Sequence, residues 1–183
     1  MAFPKEKLYT EADYDNLPEG IRAELIDGNI YYHAAPSRIH QEVLLELAGS
    51  ILNYIRSNGG PCKVYPAPFA VKLNSEDNTN IVEPDISVIC DPNKLTDKGC
   101  TGAPDWIIEI VSPSNSSHDY VVKLNKYMTA GVREYWIVNP QAGSILVYYF
   151  EEANLVPQLY TFHNQVKVNI YKDFYIDFKT ITI

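Results

Sequence analysis

The sequence predicts a single domain of mixed α and β structure spanning residues 1–183. Its 183 residues are 46% hydrophobic, so the chain can bury a core of the size expected for one domain. An apolar segment at residues 106–111 is followed by a helical pattern that ends at Gly131, and then by a second apolar segment at residues 133–139. Strand, helix and strand in this order indicate a right-handed crossover between parallel strands.

The N-terminal third predicts a short helix, a hairpin and a long helix. Thr10 can cap a helix that ends near Pro18. Asp27-Gly28 separates two apolar runs and suits a two-residue turn, which places Glu24 on the first strand of a β-hairpin. A long helix is then indicated between Ser37, a suitable N-cap, and Gly59-Gly60. Its apolar residues recur at helical spacing: Ile39, Val43, Leu44, Leu47, Ile51 and Ile55.

The rest of the chain predicts mainly strands. Residues 62–73 contain prolines and are expected to be extended, and strands are indicated at 85–90 and 106–111. In the helix that ends at Gly131, we expect an apolar stripe to face the sheet, formed by Val121, Leu124 and Met128. The C-terminal segment from residue 144 is rich in Tyr, Val and Phe and predicts further strands.

Composition excludes several classes of protein. The chain has no apolar run of the roughly 18 residues that a membrane-spanning helix needs, and its N-terminus lacks the apolar region of a secretory signal. We therefore expect a cytoplasmic protein with no membrane partner. The odd number of cysteines, three, argues against a disulfide framework and a zinc site, so we expect reduced thiols at Cys62, Cys90 and Cys100. A net charge of −8 opposes non-specific attraction to nucleic acid.

Two acids stand in strands that are otherwise apolar. Asp85 follows Pro84 at the start of the strand at 85–90, in the acid-proline-acid segment EPD, and Glu109 lies within the strand at 106–111. If these strands pair, the two carboxylates come within reach of each other, because neighbouring strands lie about 4.8 Å apart. Such a pair repels unless it is protonated or bridged by a cation, and Mg²⁺ or Mn²⁺ prefers oxygen ligands. The sequence thus predicts a divalent-metal site.

The Pro-Asp and Glu-x-x motifs resemble those of the PD-(D/E)XK nuclease superfamily. The wider chain resembles the Uma-type family of restriction-endonuclease-like proteins, over about residues 10–150. The resemblance rests on an ordered set of segments: AELIDG at 23–28, His40-Gln41, EPDISVIC at 83–90, IIEIVSPS at 107–114, Lys123 to Tyr127, and AGVREYWIVNP at 130–140.

This resemblance implies a restriction endonuclease-like fold, with a mixed central β-sheet flanked by helices. It also implies an Mg²⁺-dependent or Mn²⁺-dependent endonuclease acting on DNA, with the metal held by Asp85, Glu109 and the carbonyl of Ile110. The superfamily's lysine position is occupied here by Val111, and the family resemblance assigns that role to Lys123 on the following helix. It further implies an additional acid at Glu24.

Two further residues are candidates for the site, His40 and Tyr127. Cleavage of both DNA strands would suggest a homodimer with two active sites.

Alternative interpretations remain open at this stage. Each candidate residue also has a structural interpretation: a strand-start turn for Asp85, a salt bridge for Glu109 or Glu24, a solvated helix lysine for Lys123, and a capping-region side chain for His40. The whole chain could be a binding module that kept the fold and lost turnover, which Val111 and the acidic charge favour. A carboxylate-pair hydrolase such as a glycosidase is a third alternative.

Overall fold

The computed structural model describes residues 7–112, 118–152 and 156–181. The α-helices are α1 (Glu11–Asp15), α2 (Arg38–Asn58) and α3 (His118–Ala130), and short 3₁₀ turns lie at Pro92–Lys94 and Phe178–Thr180. The predicted mixed α/β class is confirmed. The strands are divided between two six-stranded sheets and one small hairpin.

The first sheet contains the N-terminal hairpin. Its strands run in the order β2-β1-β5-β4-β8-β7. Their bounds are β1 (Ala23–Ile26), β2 (Asn29–Tyr32), β4 (Ala70–Lys72), β5 (Ile81–Val82), β7 (Leu95–Thr96) and β8 (Gly99–Thr101). β1 and β2 pair antiparallel around a turn in which Asp27 and Gly28 both have positive φ, as the sequence predicts.

The second sheet carries the two strands with the candidate acids. Its order is β12-β11-β10-β9-β6-β3. The bounds are β3 (Lys63–Pro66), β6 (Ile86–Ile89), β9 (Trp106–Ile110), β10 (Glu134–Asn139), β11 (Ser144–Tyr149) and β12 (Gln158–Thr161). A separate hairpin is formed by β13 (Gln165–Lys167) and β14 (Tyr175–Asp177). β9 and β10 are parallel, which confirms the strand, helix and strand crossover through α3.

The predicted adjacency of the acid-bearing strands is also confirmed. β6 and β9 pair antiparallel, with Ile86 opposite Ile108 and Ser87 opposite Ile107. One step further along this register, Asp85 comes opposite Glu109. The start of β6 and the end of β9 therefore lie at the same edge of the second sheet.

Each face of this sheet is covered by one long helix. On one face, Leu44 and Leu47 of α2 pack with Ile108 and Ile110 of β9. On the other, Tyr127 of α3 packs in a cluster with residues of β9 and β10. Because apolar packing on both faces fixes the strands and both helices, the side chains at this edge are held in place.

The expected apolar stripe of α3 is wrong for two of its three residues, since only Leu124 packs against the sheet. Val121 and Met128 are exposed, whereas Lys123 and Tyr127 are buried and face the sheet. The face of α3 that packs against the sheet therefore includes polar side chains, which have polar partners on the sheet that are described below.

The expectation of three reduced cysteines is also wrong for two of them. Cys62 and Cys90 form a disulfide, because β3 pairs antiparallel with β6 and this register brings the residues flanking Lys63 and Ile89 opposite each other. Cys100 is free and buried, and burial raises the pKa of its thiol to about 11. Disulfides persist mainly in oxidising compartments, so this bond does not favour the cytoplasmic expectation.

No helix within the described residues is long and apolar enough to cross a membrane.

Candidate active site

A cavity of about 300 Å³ lies at the edge where β6 begins and β9 ends. Five of the residues predicted from the sequence line it: His40, Asp85, Glu109, Ile110 and Lys123. The other two, Glu24 and Tyr127, contact the lining residues from behind. The fold thus brings together side chains from the hairpin, both long helices and two neighbouring strands.

Asp85 is fixed from three sides. One carboxylate oxygen, Oδ2, accepts a hydrogen bond of 2.7 Å from the backbone N–H of Ile110. The other, Oδ1, lies 3.2 Å from Nε2 of His40. Its own backbone carbonyl accepts a bond of 2.9 Å from the N–H of Ala67. The carboxylate therefore has a defined orientation at the cavity wall, and each oxygen keeps a second lone pair for another ligand.

Glu109 is held by two side chains of α3. Its Oε1 accepts hydrogen bonds of 3.0 Å from Nζ of Lys123 and 2.7 Å from the hydroxyl of Tyr127. Burial raises the pKa of Glu109 to about 7, Lys123 opposes the shift, and the nearby charges of Asp85 and Glu24 add to it. A carboxylate with a raised pKa beside a second acid is typical of functional sites.

Lys123 is a buried cation between two acids. Its Nζ lies 2.9 Å from Oε1 of Glu24 and 3.0 Å from Oε1 of Glu109, and the residue is 3% exposed. The structural interpretation as a solvated helix lysine is therefore wrong. Burying an ammonium is tolerated only because carboxylates compensate it. Lys126, three residues along α3, pairs instead with Asp27 in the hairpin turn.

His40 enters the site from the first turn of α2. Ser37 caps this helix by accepting a hydrogen bond from the N–H of His40, as the sequence predicts, and the histidine is 8% exposed. Burial acts to lower the pKa of His40, but the hydrogen bond and charge of Asp85 raise it, as do Glu109 and the backbone of Ile110, and the net shift is upward. The histidine is therefore a polar partner that orients the carboxylate of Asp85 at the cavity wall.

Sequence reasoning missed Arg22 and His33, and it gave no role to Glu83. All three line the cavity. Arg22 forms an ion pair with Glu83, whose backbone N–H donates a bond of 2.8 Å to Glu24. The available signal was the first acid of the Glu-Pro-Asp segment, Glu83, because an acid directly after two apolar strand residues needs a polar or charged partner when it is buried.

The charges and the donor types at this edge fit a divalent cation. By formal charge, with the histidines counted as neutral, the four carboxylates of Glu24, Glu83, Asp85 and Glu109 exceed the two cations Arg22 and Lys123 by two negative charges. Within the described ranges, no three His, Cys, Asp or Glu side chains form a metal-binding group. A metal here would rest on two carboxylates and a backbone carbonyl, completed by water, a set that suits Mg²⁺.

Comparisons with known proteins agree on the fold. A crystal structure of "a putative nuclease belonging to DUF820" from Anabaena variabilis ATCC 29413 superposes with a TM-score of 0.77, at 19% sequence identity, covering 94% of this chain and 96% of that one. The chain is also 25% identical over 127 residues to the uncharacterized protein slr1290 of Synechocystis sp.. That match covers 69% of this chain and 65% of the relative, so the chain spans just under two thirds of the relative's length.

A family model accounts for most of the chain. The model described as "Uma2: Putative restriction endonuclease" matches residues 11–179, a range that includes every residue of the site described above. On this match, the chain belongs to the Uma2 family of restriction-endonuclease-like proteins.

Proposed function

We propose that this protein is a metal-dependent endonuclease that hydrolyses DNA phosphodiester bonds. The observation that carries the proposal is the position of Lys123, whose buried ammonium reaches Glu109 from α3. Val111 occupies the usual lysine position two residues after the acid, so catalysis needs an ammonium from elsewhere. Lys123 supplies one at the same carboxylate.

Asp85, Glu109 and the carbonyl of Ile110 would hold a Mg²⁺ or Mn²⁺ ion. When bound, the metal would polarise the scissile phosphate and lower the pKa of a water ligand. The carboxylate of Asp85 is preset for this role by the Ile110 N–H and by His40. Glu109 is preset by Tyr127 and Lys123.

Lys123 would position the attacking water and stabilise the negative charge that develops on the phosphate. A buried ammonium acts more strongly than one in bulk solvent, and Lys123 is 3% exposed. Glu24 shares the ammonium of Lys123, and its carboxylate 2.9 Å away helps to fix the position of Nζ. His40 and Tyr127 act as positioning residues, each through the acid that it contacts.

Membership of a family described as restriction endonucleases supports DNA as the substrate. The superposed Anabaena variabilis protein is described as a nuclease, which supports the same class of reaction. A dimer follows if the protein cuts both strands of a duplex, since each active site cleaves one strand.

The proposal is tested by incubating plasmid and linear DNA with the wild-type protein in Mg²⁺ or Mn²⁺. We expect metal-dependent cleavage that falls by roughly 100-fold or more in Lys123→Ala, because lost charge stabilisation costs a few kcal/mol. Lys126→Ala is the matched control on the same helix and should cleave at the wild-type rate. Full activity of Lys123→Ala would contradict the role given to this lysine.

A second candidate function is a binding module without turnover. Both oxygens of Asp85 already accept a contact, from Ile110 N–H and from His40, and the net charge of −8 opposes DNA. A protein that shows no rise in melting temperature with Mn²⁺ and no cleavage of any DNA would support this module.

A further inference from the structure

We infer that Arg22 binds a backbone phosphate of the nucleic-acid substrate beside the metal site, and that Glu83 is the residue that positions it. The inference rests on the proposed function and names a substrate contact for it. It also gives a reason for the two acids that flank Pro84.

Arg22 is anchored and still open to the cavity. Its Nε donates a bond of 3.1 Å to Oε2 of Glu83, and its Nη2 lies 3.1 Å from the same oxygen. The Arg22 side chain is 35% exposed and lines the cavity, whereas that of Glu83 is 10% exposed. A guanidinium has five N–H donors, so one that is held along one edge retains donors for a second oxyanion.

Glu83 is itself fixed, so the arginine has a defined position. Its backbone N–H donates to Glu24, and the hydroxyl of Tyr14 lies 3.5 Å from its Oε1. Glu24 in turn binds Lys123. Arg22 and the ammonium that would assist catalysis are therefore connected through one chain of polar contacts.

The segment Glu83-Pro84-Asp85 links the arginine to the metal acids. Two residues of chain span at most about 7 Å, and Pro84 restricts the backbone between them. Phosphates follow each other about every 3.4 Å of helix axis along one DNA strand. Arg22 and Asp85 line the same cavity, so a DNA strand with one phosphate at a metal ion on Asp85 would bring a neighbouring phosphate toward Arg22. In this arrangement one acid of the segment serves the metal and the other holds the cation.

Of the two cations at this edge, Arg22 is the one whose exposure and donor geometry suit a phosphate. The chain carries a net charge of −8, and phosphate binding needs a local positive potential. Lys123 is enclosed by two carboxylates, whereas Arg22 pairs with one carboxylate among the described residues and has a larger exposed fraction. Arginine is also the side chain whose planar donors match two phosphate oxygens at once.

The test measures DNA binding and not cleavage. Fluorescence anisotropy with a labelled duplex, in Ca²⁺ and at several salt concentrations, gives the slope of log affinity against log salt. We expect Arg22→Ala to lose roughly tenfold in affinity and to reduce the slope by about 0.9, the loss of one phosphate contact. Arg22→Lys should keep the slope while binding more weakly.

Arg133→Ala is the matched control. Arg133 is 37% exposed and pairs with Asp105 and Glu151, outside the cavity, so its removal should leave the salt slope unchanged. Glu83→Gln distinguishes the positioning of Arg22 by Glu83 from the effect of the protein's net charge on DNA binding. Removing a negative charge should tighten DNA binding if only net charge matters, whereas loss of the anchor should weaken it.

Each outcome is decisive. Any one of four results would overturn the inference. These are an unchanged salt slope in Arg22→Ala, a loss of DNA affinity in Arg133→Ala equal to that in Arg22→Ala, tighter DNA binding by Glu83→Gln, and no DNA binding by the wild type. If the wild type binds DNA with the expected slopes but cleaves nothing, the enzymatic proposal fails while the phosphate contact stands. If Arg22→Ala does not fold because Glu83 is left without its cation, the double variant Arg22→Ala with Glu83→Gln takes its place, since it also removes the charge of Glu83.

Discussion

Replacing Lys123 by alanine should destabilise the protein far more than replacing an exposed lysine. Its Nζ lies 2.9 Å from Glu24 and 3.0 Å from Glu109, and the three side chains are 4%, 4% and 15% exposed, in the order Lys123, Glu24, Glu109. Removing one partner of a buried ion pair costs about 3–5 kcal/mol of unfolding free energy, because the remaining charge is left uncompensated. Here two carboxylates would be left facing each other.

The cost should depend on pH. The pKa of Glu109 is raised above that of an unfolded chain, so its protonated form stabilises the fold fully below the unfolded pKa, and this contribution is lost as the pH rises through about 7. The charge of Lys123 acts to lower the pKa of Glu109, so this pKa should rise further when Lys123 is removed. The loss of unfolding free energy in Lys123→Ala should therefore be smaller at pH 5 than at pH 8.

Urea unfolding, followed by the fluorescence of the buried Trp106 and Trp136, measures the difference. Lys126→Ala is the control, because Lys126 pairs with Asp27, whose side chain is 65% exposed, and exposed pairs contribute at most about 1 kcal/mol. A Lys123→Ala variant within about 1 kcal/mol of the wild type at pH 8 would refute the buried ion pair. Adding Glu24→Gln to Lys123→Ala should recover part of the loss.

Three further predictions follow from the same geometry. Asp85→Asn and Glu109→Gln should each abolish Mn²⁺ binding in calorimetry, since each removes a ligand and lowers like-charge repulsion between the acids. The fold should persist in Glu109→Gln because Lys123 keeps Glu24 as its partner; unchanged affinity in both variants would make the acids structural. Wild-type affinity for Mn²⁺ should rise about tenfold between pH 6 and pH 8, because a proton on Glu109, with its pKa near 7, competes with the metal; equal affinities would contradict this. A thiol titration of the denatured protein without reductant should find one thiol, that of Cys100, and three would exclude the disulfide.

The local elements and the placement of the acids could be predicted from the sequence. Ser37 and Gly59 mark the ends of α2, and Asp27-Gly28 marks the hairpin turn, because caps and turns depend on residues close in sequence. The pairing of β6 with β9 could also be predicted, since only residues 90–105 separate these strands. The sequence predicts a loop there, whereas the segment contributes β7 and β8 to the first sheet.

Only the tertiary structure decided which side chains meet. Hydrophobic spacing predicted Val121, Leu124 and Met128 as the inward face of α3, and only Leu124 packs inward. The helix also buries Lys123, which pairs with Glu24 and Glu109. The Cys62–Cys90 bond and the Arg22–Glu83 pair likewise join residues 28 and 61 positions apart. Such contacts depend on the register between strands that are far apart in sequence, and on the need of each buried charge for an opposite charge. Local periodicity in the sequence encodes neither of these.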